Sequence, residues 1–311
     1  MGKRRRHAGA VLLLSLGLCV AGLGTTTGTA SASAAQNSTA RVHYYVPRQA
    51  KHSGGGGNRD LFFHNLGASV EVNPKIYVSF WGPEWTTLQD ARNAQSYVTG
   101  FLGAVGGSSW LATTTQYCRN VPARTVDCSA VTGSVPITNP TGQLGGVFND
   151  PTAVPSHPNN ADIVAAADRL VGHFLPLDSN ALYMVLTPSG KSQSGSGTSF
   201  CAYHGAASVP EGTMAFAYVP YQPDFAACNA NPGTDPAEKA FGGFSISAGH
   251  EYAEAQTDPF ALIAWTDKNG EEIADKCEGI PPGTIQLGSP AKPYAVQGLW
   301  SNRDGACVGL P

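Results

Sequence analysis

Charge is scarce in this 311-residue chain: Asp, Glu, Lys and Arg make up 13% of it, with 19 basic residues against 22 acidic ones. A chain without a basic excess or a basic stripe lacks the footprint of a nucleic-acid binder, since phosphate contacts need clustered Lys or Arg. Long apolar runs are missing as well. Outside residues 8–24 nothing approaches the roughly 20 apolar residues of a membrane span, so no membrane partner is expected for the mature chain. There is no C-x-x-C pair, which argues against a cysteine-built zinc site. No internal repeat suggests a solenoid.

What is present first speaks about compartment. Lys3-Arg4-Arg5-Arg6 forms a charged start, Ala8 to Gly24 an apolar stretch, and Ala32-Ser33-Ala34 a small-residue cleavage site. Residues 1–34 therefore read as a secretory signal peptide. The arginines lack the hydrophobic motif of a twin-arginine signal, and Leu18 is too bulky to precede a lipidated Cys19. Cleavage leaves 15 basic residues against 22 acidic ones, so the formal net charge moves from −3 to −7. Residues 35–60 are polar and end in Ser53-Gly54-Gly55-Gly56-Gly57-Asn58, which predicts a flexible mature N-terminus. A single globular domain is expected over 61–311. The protein is expected to be secreted and extracellular.

Cys118, Cys128, Cys201, Cys228, Cys277 and Cys307 remain after cleavage, an even set in an exported chain. Three disulfides follow. Six cysteines allow 15 pairings; pairing in chain order is favoured because it closes short loops at low entropic cost.

The 37 glycines and 22 prolines indicate a loop-rich fold. Between the loops, the β-branched and aromatic runs Lys75–Trp81, Ala181–Thr187 and Met214–Val219 read as buried strands. Thr87–Leu102 and Asp162–Phe174 show helical spacing, the second capped by Asn160. Thr113–Tyr117 reads as extended, as do short pieces at Tyr294–Val296 and Leu299–Trp300. A last helix region opens at Pro236 and stops at Pro259. This order predicts an α/β fold with a mixed sheet and flanking helices, disulfide-stabilised, in a zinc-peptidase-like layer architecture.

That last helix carries the chemistry. His250 and Glu254 are four residues apart and share a face, close enough for one metal ion. Glu251 stands where a His-Glu-x-x-His zinc helix keeps its general base, although Glu254 replaces the second His. Three protein ligands and an open position make a catalytic zinc site. Asp275, beside Cys277, and His204, beside Cys201, are the candidates for the third. With Asp275 the ligands carry two negative charges and weaken the ion's power to acidify water; His204 leaves it more electrophilic. Asp258 lies about 12 Å along the helix from His250 and joins only if the helix breaks near Thr257. Tyr203 or Tyr218 is a candidate for stabilising an oxyanion.

The landmarks Ile76–Gly82, Ser109–Thr114, Phe200–Gly205, His250–Glu254, Ile273–Cys277 and Leu299–Asn302 come in an order that resembles the EXORDIUM or phosphate-induced protein family. Its members are known mainly as secreted plant cell-wall growth proteins, with bacterial and fungal relatives. The resemblance covers Lys75 to the C-terminus. It implies secretion and carries over no activity.

Two functions from different classes follow. One is a secreted metal-dependent hydrolase, a zinc peptidase with Glu251 as base, acting on a peptide or a cell-wall or matrix substrate. The other is a non-enzymatic extracellular binding protein of the EXORDIUM type, with calcium held by Glu254, Asp258 and Asp275. Plainer roles compete with both. His250 and Glu254 can pair with an Arg or a backbone amide, His204 can be a hydrogen-bonded core histidine, and Asp267–Glu272 can be a polar turn. Gly195-Ser196-Gly197 lacks the strand–turn–helix setting of a serine nucleophile. Trp81, Trp85, Trp265 and Trp300 read as core residues or loop plugs.

Overall fold

The structure is a computed structural model, and it describes residues 41–45, 60–66, 69–229 and 233–311. The expected signal peptide lies outside them. All described residues fall within one compact unit spanning 37–311.

Six strands build the central sheet: β1 (Arg41–Tyr45), β2 (Lys75–Trp81), β3 (Leu144–Asp150), β4 (Ala181–Leu186), β5 (Ala202–Val209) and β6 (Gly212–Val219). Their order is β1-β5-β6-β4-β2-β3. The β6-β4-β2-β3 part is parallel, while β5 runs antiparallel to both β6 and β1. Two-residue connections allow an antiparallel hairpin such as β5–β6, whereas the parallel pairs need crossovers. Helices therefore cover both faces. They are α1 (Glu84–Thr87), α2 (Gln89–Val105), α3 (Asn160–His173) and α4 (Pro236–Thr257).

Strand alternation divides the side chains cleanly between the two faces. Ile76, Val78, Phe80, Leu182, Met184, Leu186, Ala215, Ala217 and Val219 join the core shared with α2 and α4. Trp81, Tyr183, Val185, Tyr203, Phe216 and Tyr218 join a separate core under α3, with Ile163, Ala167 and Leu170. Every residue of β4 is buried, as expected for a parallel strand covered on both sides.

Three differences from the sequence expectations have local causes. The segment predicted as extended at 113–117 winds into a 3-10 helix, Leu111–Gln116. The Thr114 and Thr115 hydroxyls donate back to the carbonyls of Leu111 and Ala112, and Ser108 Oγ accepts from Leu111 N; such local bonds compete with a strand ladder. The α3 cap is Asn159, not Asn160, in a reciprocal capping box with Asp162. Strand β3 has no clear signal because it contains Gly145 and Gly146. A Cβ on the first would come within 2.6 Å of the Tyr77 ring, and one on the second would run into Phe174.

At the other edge, residues 41–45 fall in the stretch expected to be flexible, yet they pair with β5 as β1, His43 opposite His204. Val, His and two Tyr in five residues suit a strand.

The disulfides are Cys118–Cys128, Cys201–Cys228 and Cys277–Cys307, the chain-order pairing. Such cross-links fit an oxidising compartment, and no helix among the described residues is long and apolar enough to cross a membrane.

Candidate metal centre

Helix α4 starts where the sequence signals it: Asp235 accepts from the backbone N–H groups of Ala237 and Glu238, with Pro236 in the first turn. From Phe241 to Thr257 every residue is buried. An amphipathic surface helix shows one apolar stripe; α4 instead runs through the interior. It packs on β5 and β6 to one side and on the hairpin of Gly283–Leu287 and Lys292–Val296 to the other. Small residues make this fit: a Cβ at Gly249 would sit 3.1 Å from Trp110 and 3.2 Å from Phe101.

A helix buried on all sides must satisfy its polar side chains internally. His250, Glu251 and Glu254 do so in part, with residues from three other segments. His250 Nε2 lies 3.1 Å from Glu254 Oε1 and 3.6 Å from Asp275 Oδ1. Its Nδ1 is 3.2 Å from Gln297 Oε1. With Nδ1–H donating to that amide oxygen, the neutral imidazole turns its Nε2 lone pair to the carboxylates, the usual way an outer partner orients a ligating histidine. Asp275 is held by its own backbone N–H, which donates to Glu254 Oε1 at 3.0 Å.

His204 enters from β5. Position 204 has the parity of Ala202 and not of Tyr203, so its ring faces α4. Nδ1 lies 3.1 Å from Glu251 Oε2 and 3.5 Å from Glu254 Oε2; Nε2 lies 3.6 Å from Glu272 Oε1 and 3.2 Å from the Asp258 carbonyl oxygen. Two triads could thus hold a metal ion, His250–Glu254–Asp275 and His204–Glu254–Glu272. All of the sequence-predicted ligands, His250, Glu254, Asp275 and His204, come together with Glu251.

Glu272 was assigned to a polar turn by its sequence, but it is fully buried. Its spacing from Asp275, as Glu-x-x-Asp just before an anchored cysteine, was the available signal. Asp258 contributes differently from the calcium expectation. The helix ends at Thr257, and the Asp258 carboxylate accepts from Ile263 N at 2.9 Å, leaving its carbonyl to face His204. Tyr203 and Tyr218 do not belong to the site. They lie on the α3 face, bonded to Asn160 and Gln193 and to Thr187 respectively. The pairing of His250 and Glu254 with each other replaces the plainer pairing with an arginine.

The electrostatics are those of crowded acids around two bases. Burial alone would lower the pKa of His204, but Glu272, Glu251 and Glu254 outweigh it and raise it to about 9. Burial opposes protonation of His250 too, and Glu254, Asp275 and Glu251 lift it well above the usual imidazole value. Burial raises Glu251 despite the opposing pull of both histidines. Glu272 is pushed well up by burial and by Glu254, Asp258 and Asp275, with His204 pulling the other way. One oxygen each of Glu251 (Oε1) and Glu254 (Oε2) has no hydrogen bond from the described residues.

Among the described residues the centre is closed. His204, His250, Glu251, Glu254, Glu272 and Asp275 are each at most 4% exposed, and three surface pockets among the described residues have none of them in their walls. The four tryptophans read as plugs, Trp81, Trp85, Trp265 and Trp300, are all buried.

No family model matches this sequence, and no curated protein or solved structure matches it either.

Proposed function

We propose that this is a secreted metal-dependent hydrolase whose ion is held beneath the sheet by His250, Glu254 and Asp275, with His204 and Glu272 adjoining. The observation that carries the reading is the position of Glu254: one carboxylate oxygen lies toward each of two histidines that come from different elements. Imidazole and carboxylate are the donors of catalytic zinc sites, whereas structural zinc sites lean on cysteine thiolates. Calcium prefers six to eight oxygens, and a nitrogen donor at the centre favours zinc or a similar transition ion.

A divalent ion there would polarise a substrate carbonyl and make water acidic enough to be a nucleophile near neutral pH. Glu251 would accept the proton of the attacking water and return it to the leaving group. Its hydrogen bond to His204 fixes the carboxylate, and its raised pKa brings it nearer the working range of a general base. The substrate class is a peptide or a cell-wall or matrix polymer. The layering of α4 under a mixed sheet supports a zinc-peptidase-like architecture, and the ordered landmarks from Lys75 onward support kinship with the EXORDIUM family.

One observation favours a second reading. Because the centre is closed to solvent, an ion there could act as an internal cross-link in a non-enzymatic extracellular binding protein. The two readings separate on the purified mature chain. Hydrolysis of a casein or peptidoglycan substrate should be sensitive to chelation, and Glu251→Gln should lower it about 10²–10⁴-fold while metal content stays unchanged. Bound metal with no hydrolysis of either substrate would leave the cross-link reading. A chain without metal would remove both.

A further inference from the structure

We infer that Gln297 is the positioning residue of the metal centre: its carboxamide commits the Nε2 lone pair of His250 to the ion and holds the Asp275 turn beside it, so the ion belongs to the His250–Glu254–Asp275 triad. This rests on the metal-site reading above and deepens it, naming the ligating nitrogen and the group that selects it.

Chemistry fixes the orientation of the carboxamide. Gln297 Nε2 lies 2.5 Å from the Ala274 carbonyl oxygen. A carbonyl only accepts, so the amide nitrogen belongs at that end and donates. The amide oxygen is left facing His250 Nδ1 at 3.2 Å. It too only accepts, so Nδ1 carries a hydrogen, and a neutral imidazole then keeps its lone pair on Nε2. Both carboxylates of the triad face that same nitrogen, Glu254 Oε1 at 3.1 Å and Asp275 Oδ1 at 3.6 Å. One imidazole nitrogen and two carboxylate oxygens gathered at one point are the donors of a zinc ligand set.

The same amide reaches the second ligand. Ala274 precedes Asp275, so the bond to its carbonyl ties the turn carrying that carboxylate to the group that orients the imidazole. Gln297 is itself anchored. It is 3% exposed, its own carbonyl accepts from Trp110 Nε1 at 2.7 Å, and Trp300 N donates to Ile273 O at 2.8 Å. The Cys277–Cys307 disulfide ties the far end of the turn to the strand paired with Leu299–Ser301. Ligand-orienting partners act through such support.

His204 is arranged differently. Glu254 Oε2 lies 3.5 Å from its Nδ1 and Glu272 Oε1 3.6 Å from its Nε2, so the two carboxylates of that triad stand at opposite ring nitrogens. Its Nδ1 is closer still to Glu251 Oε2, at 3.1 Å. Carboxylates flank this ring on both sides, whereas His250 has a neutral amide at Nδ1 and its carboxylates at Nε2. His204 therefore serves to hold the base Glu251.

The test is metal affinity, measured on the mature chain by zinc competition against a chelating dye. Gln297→Met keeps the bulk and removes both amide bonds, and affinity should fall about 10–100-fold. In the Co²⁺ form the ring N–H of a ligating histidine gives an exchangeable, hyperfine-shifted proton resonance. That resonance should be present in the wild type and in His204→Gln, absent in His250→Gln, and broadened or shifted by solvent exchange in Gln297→Met. A glutamine that only supports the fold would lower the thermal stability of the chelated chain and move neither affinity nor resonance; that result overturns the proposal and leaves the metal site standing. A resonance that survives His250→Gln and disappears in His204→Gln overturns it as well. Circular dichroism identifies any variant that fails to fold, and the histidine variants decide the matter without Gln297→Met. A wild-type chain that binds no ion overturns both readings.

Discussion

The two faces of one sheet are covered by helices of similar sequence polarity but opposite content. Under α3 lies an aromatic and aliphatic core in which the tyrosine hydroxyls reach the rim: Tyr183 OH accepts from Asp178 N, and Tyr203 OH lies within hydrogen-bond distance of Asn160 Oδ1 and Gln193 Oε1, to one of which it donates. Under α4 the same strands face a core with two imidazoles and a group of carboxylates at its centre. The first face is held mainly by apolar and aromatic burial, with Arg169 of α3 pairing the buried Asp150 at its edge. The second buries ionisable groups deeply, where charge is costly, and groups them so that they could hold a metal ion.

That contrast can be broken first on the dry side. Phe216→Ala removes a fully buried ring from the α3 core and should cost about 3–5 kcal/mol. Denaturant titrations should give the same loss with and without chelator. A loss that depends on metal would show that the two faces are energetically one.

On the α4 side, metal at a thousand times its dissociation constant should add about 4 kcal/mol of stability. The gain should vanish in Glu254→Gln, as read by thermal unfolding with and without chelator. An equal gain in the variant would place the ion somewhere else.

A third measurement sharpens the comparison away from the centre. Glu71 is wholly buried, neither carboxylate oxygen has a hydrogen bond from the described residues, and burial together with Asp178 raises its pKa well above 4.5. Its folded state therefore binds more protons than its unfolded state, so its contribution to stability is intact below pH 4.5 and is lost as pH rises. Glu71→Gln should stabilise the chain by about 1–3 kcal/mol at pH 8 and give no gain near pH 4. A gain independent of pH would mean the carboxyl is not the cause.

The smallest effect belongs to Tyr203→Phe, which removes hydroxyl bonds to Asn160 and Gln193 and should cost about 0.5–1.5 kcal/mol. Metal content should not change. A lost ion would contradict the separation of the faces by strand parity.

Much of this was legible in advance. The β-branched runs at Lys75 and Ala181 become β2 and β4 within a residue of their expected ends, and Pro236 and Pro259 bracket α4 as start and stop signals. What escaped had physical reasons. Strand β3 hides behind two glycines that exist to admit the rings of Tyr77 and Phe174. Residues 111–116 follow hydroxyl-to-carbonyl bonds that a propensity reading does not weigh. In the site, the i, i+4 spacing gave His250 and Glu254, and nearby cysteines pointed to His204 and Asp275. Glu272 sits in a run of polar residues, and only the path of the chain after α4 turns it inward.

The sequence by itself determined the helix that carries His250, Glu251 and Glu254 and the strands around it, because these depend on local spacing; it favoured the chain-order cysteine pairing without fixing it. Only the tertiary structure decided that His204 and Glu272 meet Glu254 on its second side and that Tyr203 and Tyr218 turn away. Those outcomes depend on strand parity and on segments far apart in the chain converging on one buried point, which no local pattern encodes.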